Sequence, residues 1–238
     1  MERKIKFIGS IYIGPFGLRV YSNYPAISNY LKNGNFIPNI PGYQFIEKKA
    51  KENYSIIYIK NQKTPRVVSL PHKRTITIEG KWEKIKKGNV IPYRAHFLLE
   101  SLLQKNSFFT TQGAGVSKNS KGILIMGKRG SGKTSITLEL CRRYNYKLVG
   151  NDLIIVGLRK GKGYLLEGTK FFNLRFSTVK YYNKDLQKHF PRNKPDEWTN
   201  KIVLTPDKLG IEIEKTQFIP IIKGVYVHLK NRKDSPLF

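Results

Sequence analysis

The stretch GILIMGKRGSGKTSITLEL, at residues 122–140, decides the fold. Its first part, GILIM, is an apolar run that predicts a strand, and the part that begins at Lys133 predicts a helix. Between them, GKRGSGKT at 127–134 satisfies every position of the phosphate-binding pattern G-x-x-x-x-G-K-[ST]. A strand, this loop and a helix in that order are typical of an α/β core that binds a nucleotide.

The chemistry of the loop follows from its residue types. Glycines let backbone N–H groups turn inward around a β-phosphate, and the start of the following helix adds a partial positive charge. Lys133 can reach the β- and γ-phosphate oxygens, and Thr134 can give its hydroxyl oxygen to Mg²⁺. We therefore expect ATP and Mg²⁺ to bind here, although the pattern does not separate ATP from GTP. The expected contacts are Gly127, Lys128, Arg129, Gly130, Ser131, Gly132, Lys133, Thr134 and Ser135.

Asp152 is the first acidic residue after the predicted helix. It lies in KLVGNDLIIVG, at 147–157, which predicts a pair of strands. Because only one helix separates it from the loop, we expect the strand that carries Asp152 to be the immediate neighbour of the strand at 122–127. Its carboxylate would then lie beside the γ-phosphate, where it could hold the metal or accept a proton, as in small kinases. The alternative is that Asp152 is a turn residue within Gly-Asn-Asp.

The segment from Gln112 to Gly157 resembles the core of the HPr kinase/phosphorylase-like family, which is related to the phosphoenolpyruvate carboxykinase fold. In that family a His-containing strand, a hairpin, the phosphate-binding loop and a short strand ending in paired acidic residues follow one another. The later KFFNLRFST, at 170–178, is similar to the family's Lys-x-x-x-Leu-Arg segment. The resemblance spans about residues 112–230. It implies an α/β fold with a P-loop kinase core of this type and ATP-dependent phosphoryl transfer.

The resemblance also implies roles for individual residues. Lys133 and Thr134 would bind phosphate and metal, and Asp152 would act as general base toward the acceptor hydroxyl. Asn151 stands where the family has its first aspartate, and it would make a neutral contact to the metal or to water. Gln112 stands where the family commonly has a histidine and cannot take up a proton, which argues against reverse phosphorolysis.

Two further residues invite smaller interpretations. Arg175 could stabilise charge on the transferred phosphoryl group, as an arginine finger does, and the alternative is a surface cation. Cys141 lies on the predicted helix after the loop, where we expect a small buried thiol rather than a nucleophile. Since it is the single cysteine, the chain has no internal disulfide, and its four scattered histidines offer no metal-binding spacing.

The N-terminal part predicts a smaller module of antiparallel β-strands. Residues 3–22 alternate apolar and polar positions around Gly14-Pro15, which is the pattern of a β-hairpin. The segment at 33–43 is rich in Gly, Pro and Asn and predicts a loop. We assign residues 1–90 to this module, with further strands expected at 54–60, 65–71 and 74–80.

Residues 91–238 are assigned to a P-loop kinase domain. A helix from Pro92 to about Asn106 is expected to join it to the first module. The chain ends at Phe238, which is early for the resembled family, so we expect a truncated C-terminal end without the family's last helix. Strands are expected at 108–116, 122–127 and 218–230, and the apolar side of the helix would consist of Phe97, Leu98, Leu102 and Leu103.

The net charge of +28 arises from 44 Lys and Arg residues against 16 Asp and Glu residues. An excess this large gives much of the surface a positive potential that attracts anions. Aromatic residues also lie among lysines in KYYNKDLQKHF, at 180–190. We therefore expect an acidic or polyanionic acceptor, nucleic acid included. The alternative is a lysine-rich genome, although such a bias usually raises the content of Glu as well.

The leading interpretation is a kinase that transfers the γ-phosphate of ATP to a hydroxyl of a protein or peptide, a small metabolite or RNA. The alternatives are a nucleic-acid-binding NTPase and an ATP-binding module without turnover. No apolar run approaches the roughly 18 to 20 residues that span a bilayer, and the start MERKIKFIGS lacks the apolar stretch of a signal peptide. We expect a cytoplasmic protein with no membrane partner, and the oligomeric state stays open.

Overall fold

The protein forms two compact units, Met1–Phe109 and Thr110–Phe238. Its structure, a computed structural model, describes residues 4–176, 179–180, 184–190 and 201–228. Parts of three predicted segments, those at 170–178, 180–190 and 218–230, therefore lie outside the described residues. The division falls after Phe109, so the helix that we had assigned to the second domain belongs to the first unit.

The first unit is a six-stranded sheet with three helices. Its strands have the order β3-β1-β2-β4-β6-β5. The elements are β1 (Lys6–Ile13), β2 (Phe16–Ser22), α1 (Ile27–Asn33), β3 (Tyr43–Ile46), β4 (Ser55–Lys60), β5 (Arg66–Leu70), β6 (Thr75–Gly80), α2 (Trp82–Lys87) and α3 (Val90–Lys105).

Strand direction in this sheet corrects the expectation of an antiparallel module. The predicted hairpin is confirmed, because β1 and β2 pair antiparallel and Gly14 takes a positive φ of 57° in the turn. However, β2 pairs parallel with β4, and β4 pairs parallel with β6, so the sheet is mixed. The chain between β2 and β4 contains α1 and the edge strand β3. This connection brings the chain back to the end of the sheet at which β2 begins, so that β4 can run parallel to β2. Apolar alternation within a strand carries no information about such a crossover.

Helix α3 provides much of the apolar face that packs on this sheet, against β2 and β4. Leu99 and Leu103 are fully buried, and Leu98 and Leu102 are nearly so. Phe97, which we had placed on the same side, is 59% exposed. It lies about 200° around the helix from Leu99, so it cannot share the buried stripe. None of the helices in the described residues has the length and apolarity needed to cross a lipid bilayer.

Among the described residues, the second unit contains a closed barrel of five strands and one long helix. The two predicted strands before the loop and the helix after it are confirmed as β7, β8 and α4. The predicted strand pair at 147–157 is instead one continuous strand, β9. The elements are β7 (Phe108–Lys118), which begins in the first unit, β8 (Lys121–Met126), α4 (Lys133–Tyr144), β9 (Lys147–Arg159), β10 (Lys162–Gly168), β11 (Phe172–Arg175), β12 (Lys201–Leu204) and β13 (Ile219–Tyr226).

The strand order of the barrel, β10-β13-β8-β7-β9, corrects a second expectation. We had expected the strand with Asp152 to be the immediate neighbour of β8, but β7 lies between β8 and β9. The reason is that β7 folds back on β8 as an antiparallel hairpin and occupies one of its sides. The other side of β8 is taken by β13, which pairs with it in parallel.

We predict that Leu99→Ala lowers the free energy of unfolding by about 2–5 kcal/mol, because it leaves a cavity in the core beneath α3. The matched control is Phe97→Ala on the same helix, which should change it by no more than about 0.5 kcal/mol because that ring is exposed. Urea unfolding followed by circular dichroism measures both. Equal losses in the two variants would contradict the packing of α3 described here.

Candidate functional site

The phosphate-binding loop connects β8 to α4 and depends on three glycines with positive φ. Gly127, Gly130 and Gly132 have φ angles of 149°, 83° and 93°. A Cβ on Gly127 would lie 2.4 Å from the carbonyl oxygen of Val227 and 2.6 Å from Ser131 Oγ. A Cβ on Gly130 would meet nothing within 4 Å. The loop is therefore tightly packed at its base and open at its tip.

The ammonium group of Lys133 is turned back onto the loop. Its Nζ donates hydrogen bonds to the carbonyl oxygens of Gly127, at 2.8 Å, and Lys128, at 2.9 Å. Lys133 is also the first residue of α4, whose first turn is closed by the Ile136 N–H donating to the Gly132 carbonyl at 3.0 Å. The cation and the positive end of a 12-residue helix are thus together at one end of the loop.

The other predicted nucleotide contacts surround this lysine in the sequence. Ser131 is 7% exposed, and its Oγ has no hydrogen-bond partner among the described residues. Thr134 and Ser135 are half-buried in the first turn of α4, whereas Lys128 and Arg129 are exposed. The buried, unpaired hydroxyl and the exposed cations are groups that a phosphate could engage.

Asp152 and Asn151 face opposite ways on β9. Asp152 is exposed and has a φ of 79°, a left-handed conformation that is uncommon for a residue with a side chain. Asn151 is 1% exposed, and its Nδ2 donates to the Phe171 carbonyl oxygen at 3.0 Å. Its Oδ1 has no partner among the described residues. The carboxylate is therefore offered to solvent, and the carboxamide is held inside the unit.

Gln112 and Arg175 lie on other strands. Gln112 is an exposed residue of β7, two residues before Ala114, which pairs with Ile125 of β8. Arg175 is the last residue of β11, where it is half-buried and opposite Lys201 of β12. The loop residues thus form one continuous site next to the strand of Gln112. Asn151 and Asp152 lie on β9 and Arg175 lies on β11, which are other strands of the same unit.

Sequence reasoning missed a partly buried ion pair beside β9. Lys170 Nζ lies 3.0 Å from Glu167 Oε2 and also donates to the carbonyl oxygen of Val149. Glu167 is only 9% exposed, whereas the Lys170 side chain is 25% exposed, so solvent screens part of the attraction. The available signal was Lys170, the first residue of the segment at 170–178, which was noticed only for its resemblance to a family motif.

Cys141 is a buried residue of α4, as predicted. Burial raises the pKa of its thiol to about 12, so the group stays protonated near neutral pH. A protonated, enclosed thiol is a poor nucleophile. Cys141 therefore has a packing role in the core beside Leu138.

Comparisons with known proteins give distant structural resemblance and no match in sequence. No protein-family model matches the sequence, and no curated protein matches it. The solved structures that match include the HPr(Ser) kinase/phosphatase from Coxiella burnetii, at 15% sequence identity and a TM-score of 0.35. The alignment covers 54% of this chain and 69% of that chain. A similarity this low indicates structural resemblance only.

We predict different outcomes for alanine at two glycines of the loop. Gly127→Ala should abolish nucleotide binding, since its Cβ would overlap the Val227 carbonyl, a backbone atom that cannot move aside cheaply. Gly130→Ala should bind nucleotide and cost about 1–2 kcal/mol of stability, because only its left-handed backbone opposes a side chain. Titration with a fluorescent ATP analogue and thermal unfolding measure both. Normal binding by Gly127→Ala would contradict the geometry of the loop base.

Proposed function

We propose that the protein is an ATP-dependent kinase that transfers the γ-phosphate to an acceptor hydroxyl. The observation that carries the proposal is the loop from Gly127 to Gly132, with Lys133 already directed onto its carbonyl oxygens at 2.8 and 2.9 Å. Such a loop in front of a long helix suits a group with several negative oxygens. The distant structural neighbour is named as a kinase/phosphatase, which agrees with this class of chemistry.

The residues present fit a nucleotide and its metal. At the tip of the loop, a Cβ on Gly130 would meet nothing within 4 Å, so the backbone there is open to a ligand. The β- and γ-phosphate oxygens would replace the carbonyls of Gly127 and Lys128 as acceptors for Lys133 Nζ. Thr134 would hold Mg²⁺, with Asp152 as a further proposed contact; Asn151, which we had expected to contact the metal, faces away from Asp152 and donates to the Phe171 carbonyl instead. Bound Mg²⁺ neutralises charge on the phosphate oxygens.

The proposed transfer is an in-line displacement. The oxygen of the acceptor hydroxyl forms a bond to the γ-phosphorus, and the bond from that phosphorus to the β–γ bridging oxygen breaks, which leaves ADP. The hydroxyl proton passes to the Asp152 carboxylate, and Arg175 would stabilise charge on the transferred group. Because Gln112 has no proton-accepting nitrogen, the proposal is limited to forward transfer.

The charge distribution supports a polyanionic or acidic acceptor. Lys and Arg outnumber Asp and Glu by 19 to 6 in Met1–Phe109 and by 25 to 10 in Thr110–Phe238. Both units therefore carry the excess, and binding of ATP alone would not require a positive first unit. The same charge favours a second candidate, a nucleic-acid-binding NTPase in which hydrolysis rather than transfer follows binding. ATP labelled at the γ-phosphate distinguishes the two candidates. A kinase would move the label to an acceptor, and an NTPase would release it as free phosphate.

We predict that two substitutions separate binding from chemistry. Lys133→Ala should remove most of the thermal stabilisation by Mg²⁺ and ATP, because it removes the cation at the β- and γ-phosphates. Asp152→Asn should keep that stabilisation and lower the transfer rate by about 10²- to 10⁴-fold, the usual contribution of a general base. Thermal shift and transfer from labelled ATP to a cell extract or an RNA pool measure the two effects. Undiminished transfer by Asp152→Asn would refute the role of this residue.

We predict a steep salt dependence if the acceptor is a polyanion. Each neutralised phosphate releases counterions, so log affinity should fall against log salt by about 0.7 to 0.9 per contact. Titrations of tRNA, single-stranded RNA, duplex DNA and an acidic peptide at several salt concentrations measure this slope. Weak, salt-insensitive binding to all of them would exclude a polyanionic acceptor and favour a small molecule.

A further inference from the structure

The chain segment Glu167–Phe171, here called the bracket, lies against the part of β9 that carries Asp152. Gly150 and Gly168 make this approach possible. A Cβ on Gly150 would lie 2.4 Å from the Gly168 Cα, and a Cβ on Gly168 would lie 2.7 Å from the Leu153 carbonyl oxygen. The two backbones are therefore in direct contact, with no space for a side chain between them.

Thr169 of the bracket bonds to the residues on both sides of Asp152. Its hydroxyl donates to the carbonyl oxygen of Asn151 and accepts the Leu153 N–H at 3.3 Å. Its backbone repeats the pattern, because the Asn151 N–H donates to the Thr169 carbonyl at 2.9 Å and the Thr169 N–H donates to the Leu153 carbonyl at 3.0 Å. Thr169 is 2% exposed, so these bonds are made in a dry environment.

This arrangement accounts for the unusual backbone of Asp152. Its φ of 79° is a conformation that residues with side chains keep only where their surroundings fix it. The bonds of Thr169 fix Asn151 and Leu153, so the peptide units around Asp152 have little freedom to turn. The side chain between them is left exposed while that of Asn151 stays buried.

Two further contacts hold the same segment. Asn151 Nδ2 donates to the Phe171 carbonyl at 3.0 Å, and Lys170 Nζ donates to the Val149 carbonyl. Neither reaches past Asp152 to Leu153. The Thr169 hydroxyl is therefore the side-chain group, among those described, that connects the residues before and after the carboxylate.

We propose that Thr169 is a positioning residue that holds the Asp152 carboxylate in the orientation needed for proton transfer. The inference rests on the proposed function in one respect, that Asp152 is the general base. The orientation of the Asp152 carboxylate would then be set by the Thr169 hydroxyl, which contacts neither nucleotide nor acceptor. Misplacement of a catalytic group by about 1 Å can cost on the order of 10²-fold in rate.

The test compares Thr169→Val with Thr169→Ser. Valine keeps the volume of threonine but removes both hydroxyl bonds, so basal hydrolysis of labelled Mg²⁺·ATP should fall by about 10- to 100-fold, with KM within about threefold of wild type. Serine keeps the hydroxyl and should restore the rate to within about threefold. Ser117→Ala is the matched control, since it removes a 2.6 Å bond from the fully buried Ser117 hydroxyl, on β7, to Oε2 of the partly buried Glu214. Its hydrolysis rate should be unchanged.

Two further measurements separate positioning from simple loss of stability. In an Asp152→Asn background, Thr169→Val should lower the rate by less than about twofold, because its effect acts through the carboxylate. Amide hydrogen exchange at Leu153 should be faster in Thr169→Val and unchanged in Ser117→Ala, since the acceptor of that N–H is lost in the first variant only.

Several results would overturn the inference: a Thr169→Val rate within about twofold of wild type, losses that multiply with Asp152→Asn, or a Thr169→Ser rate as low as that of valine. If the wild-type chain neither hydrolyses ATP nor transfers its labelled γ-phosphate to an acceptor, the proposed function fails instead. Leu153 exchange then decides the positioning role alone, and equal exchange in wild type and Thr169→Val would refute it.

Discussion

The contact between Gly127 and β13 is the constraint on which the candidate site depends. The Val227 N–H, one residue beyond β13, donates to the Met126 carbonyl at 2.8 Å, which extends the parallel pairing of β13 with β8 to the first residue of the loop. The Val227 carbonyl then lies so close to Gly127 that no side chain fits. The path of the loop is thus set by a strand about a hundred residues later in the chain. With that path fixed, Lys133 meets the Gly127 and Lys128 carbonyls.

Several departures from ordinary packing occur at the proposed site. Ser131 Oγ and Asn151 Oδ1 are two of the four buried side-chain atoms without a hydrogen-bond partner in the described residues; the other two belong to His96 and His189. Asp152 has a left-handed backbone. Unpaired buried polar atoms and strained backbone each cost stability, and they accumulate where function outweighs it. The bracket offsets part of this cost, because Thr169 bonds to the residues on both sides of the strained Asp152.

Local patterns in the sequence predicted many elements of the fold, although not α1, α2, β3 or β10, and they did not predict how the strands pair. The loop, the hairpin at Gly14 and helices α3 and α4 each depend on residues close together in the chain, so their positions were predicted well. The mixed first sheet and the insertion of β7 between β8 and β9 depend on pairing between distant segments, which no local pattern encodes. The site divides in the same way. The residues of the loop were evident from their motif, whereas the role of Thr169 depends on hydrogen bonds to residues 16 and 18 positions away.

The most direct test of the account is a crystal structure of the chain with Mg²⁺ and a non-hydrolysable ATP analogue. The account predicts that Lys133 Nζ leaves the Gly127 and Lys128 carbonyls and lies about 3 Å from β- or γ-phosphate oxygens. It also predicts that the Asp152 carboxylate faces the γ-phosphate, with Thr169 still bonded to Asn151 and Leu153. An analogue bound elsewhere, with Lys133 still on the loop carbonyls, would contradict the nucleotide site. A γ-phosphate in the loop but out of reach of Asp152 would contradict the mechanism.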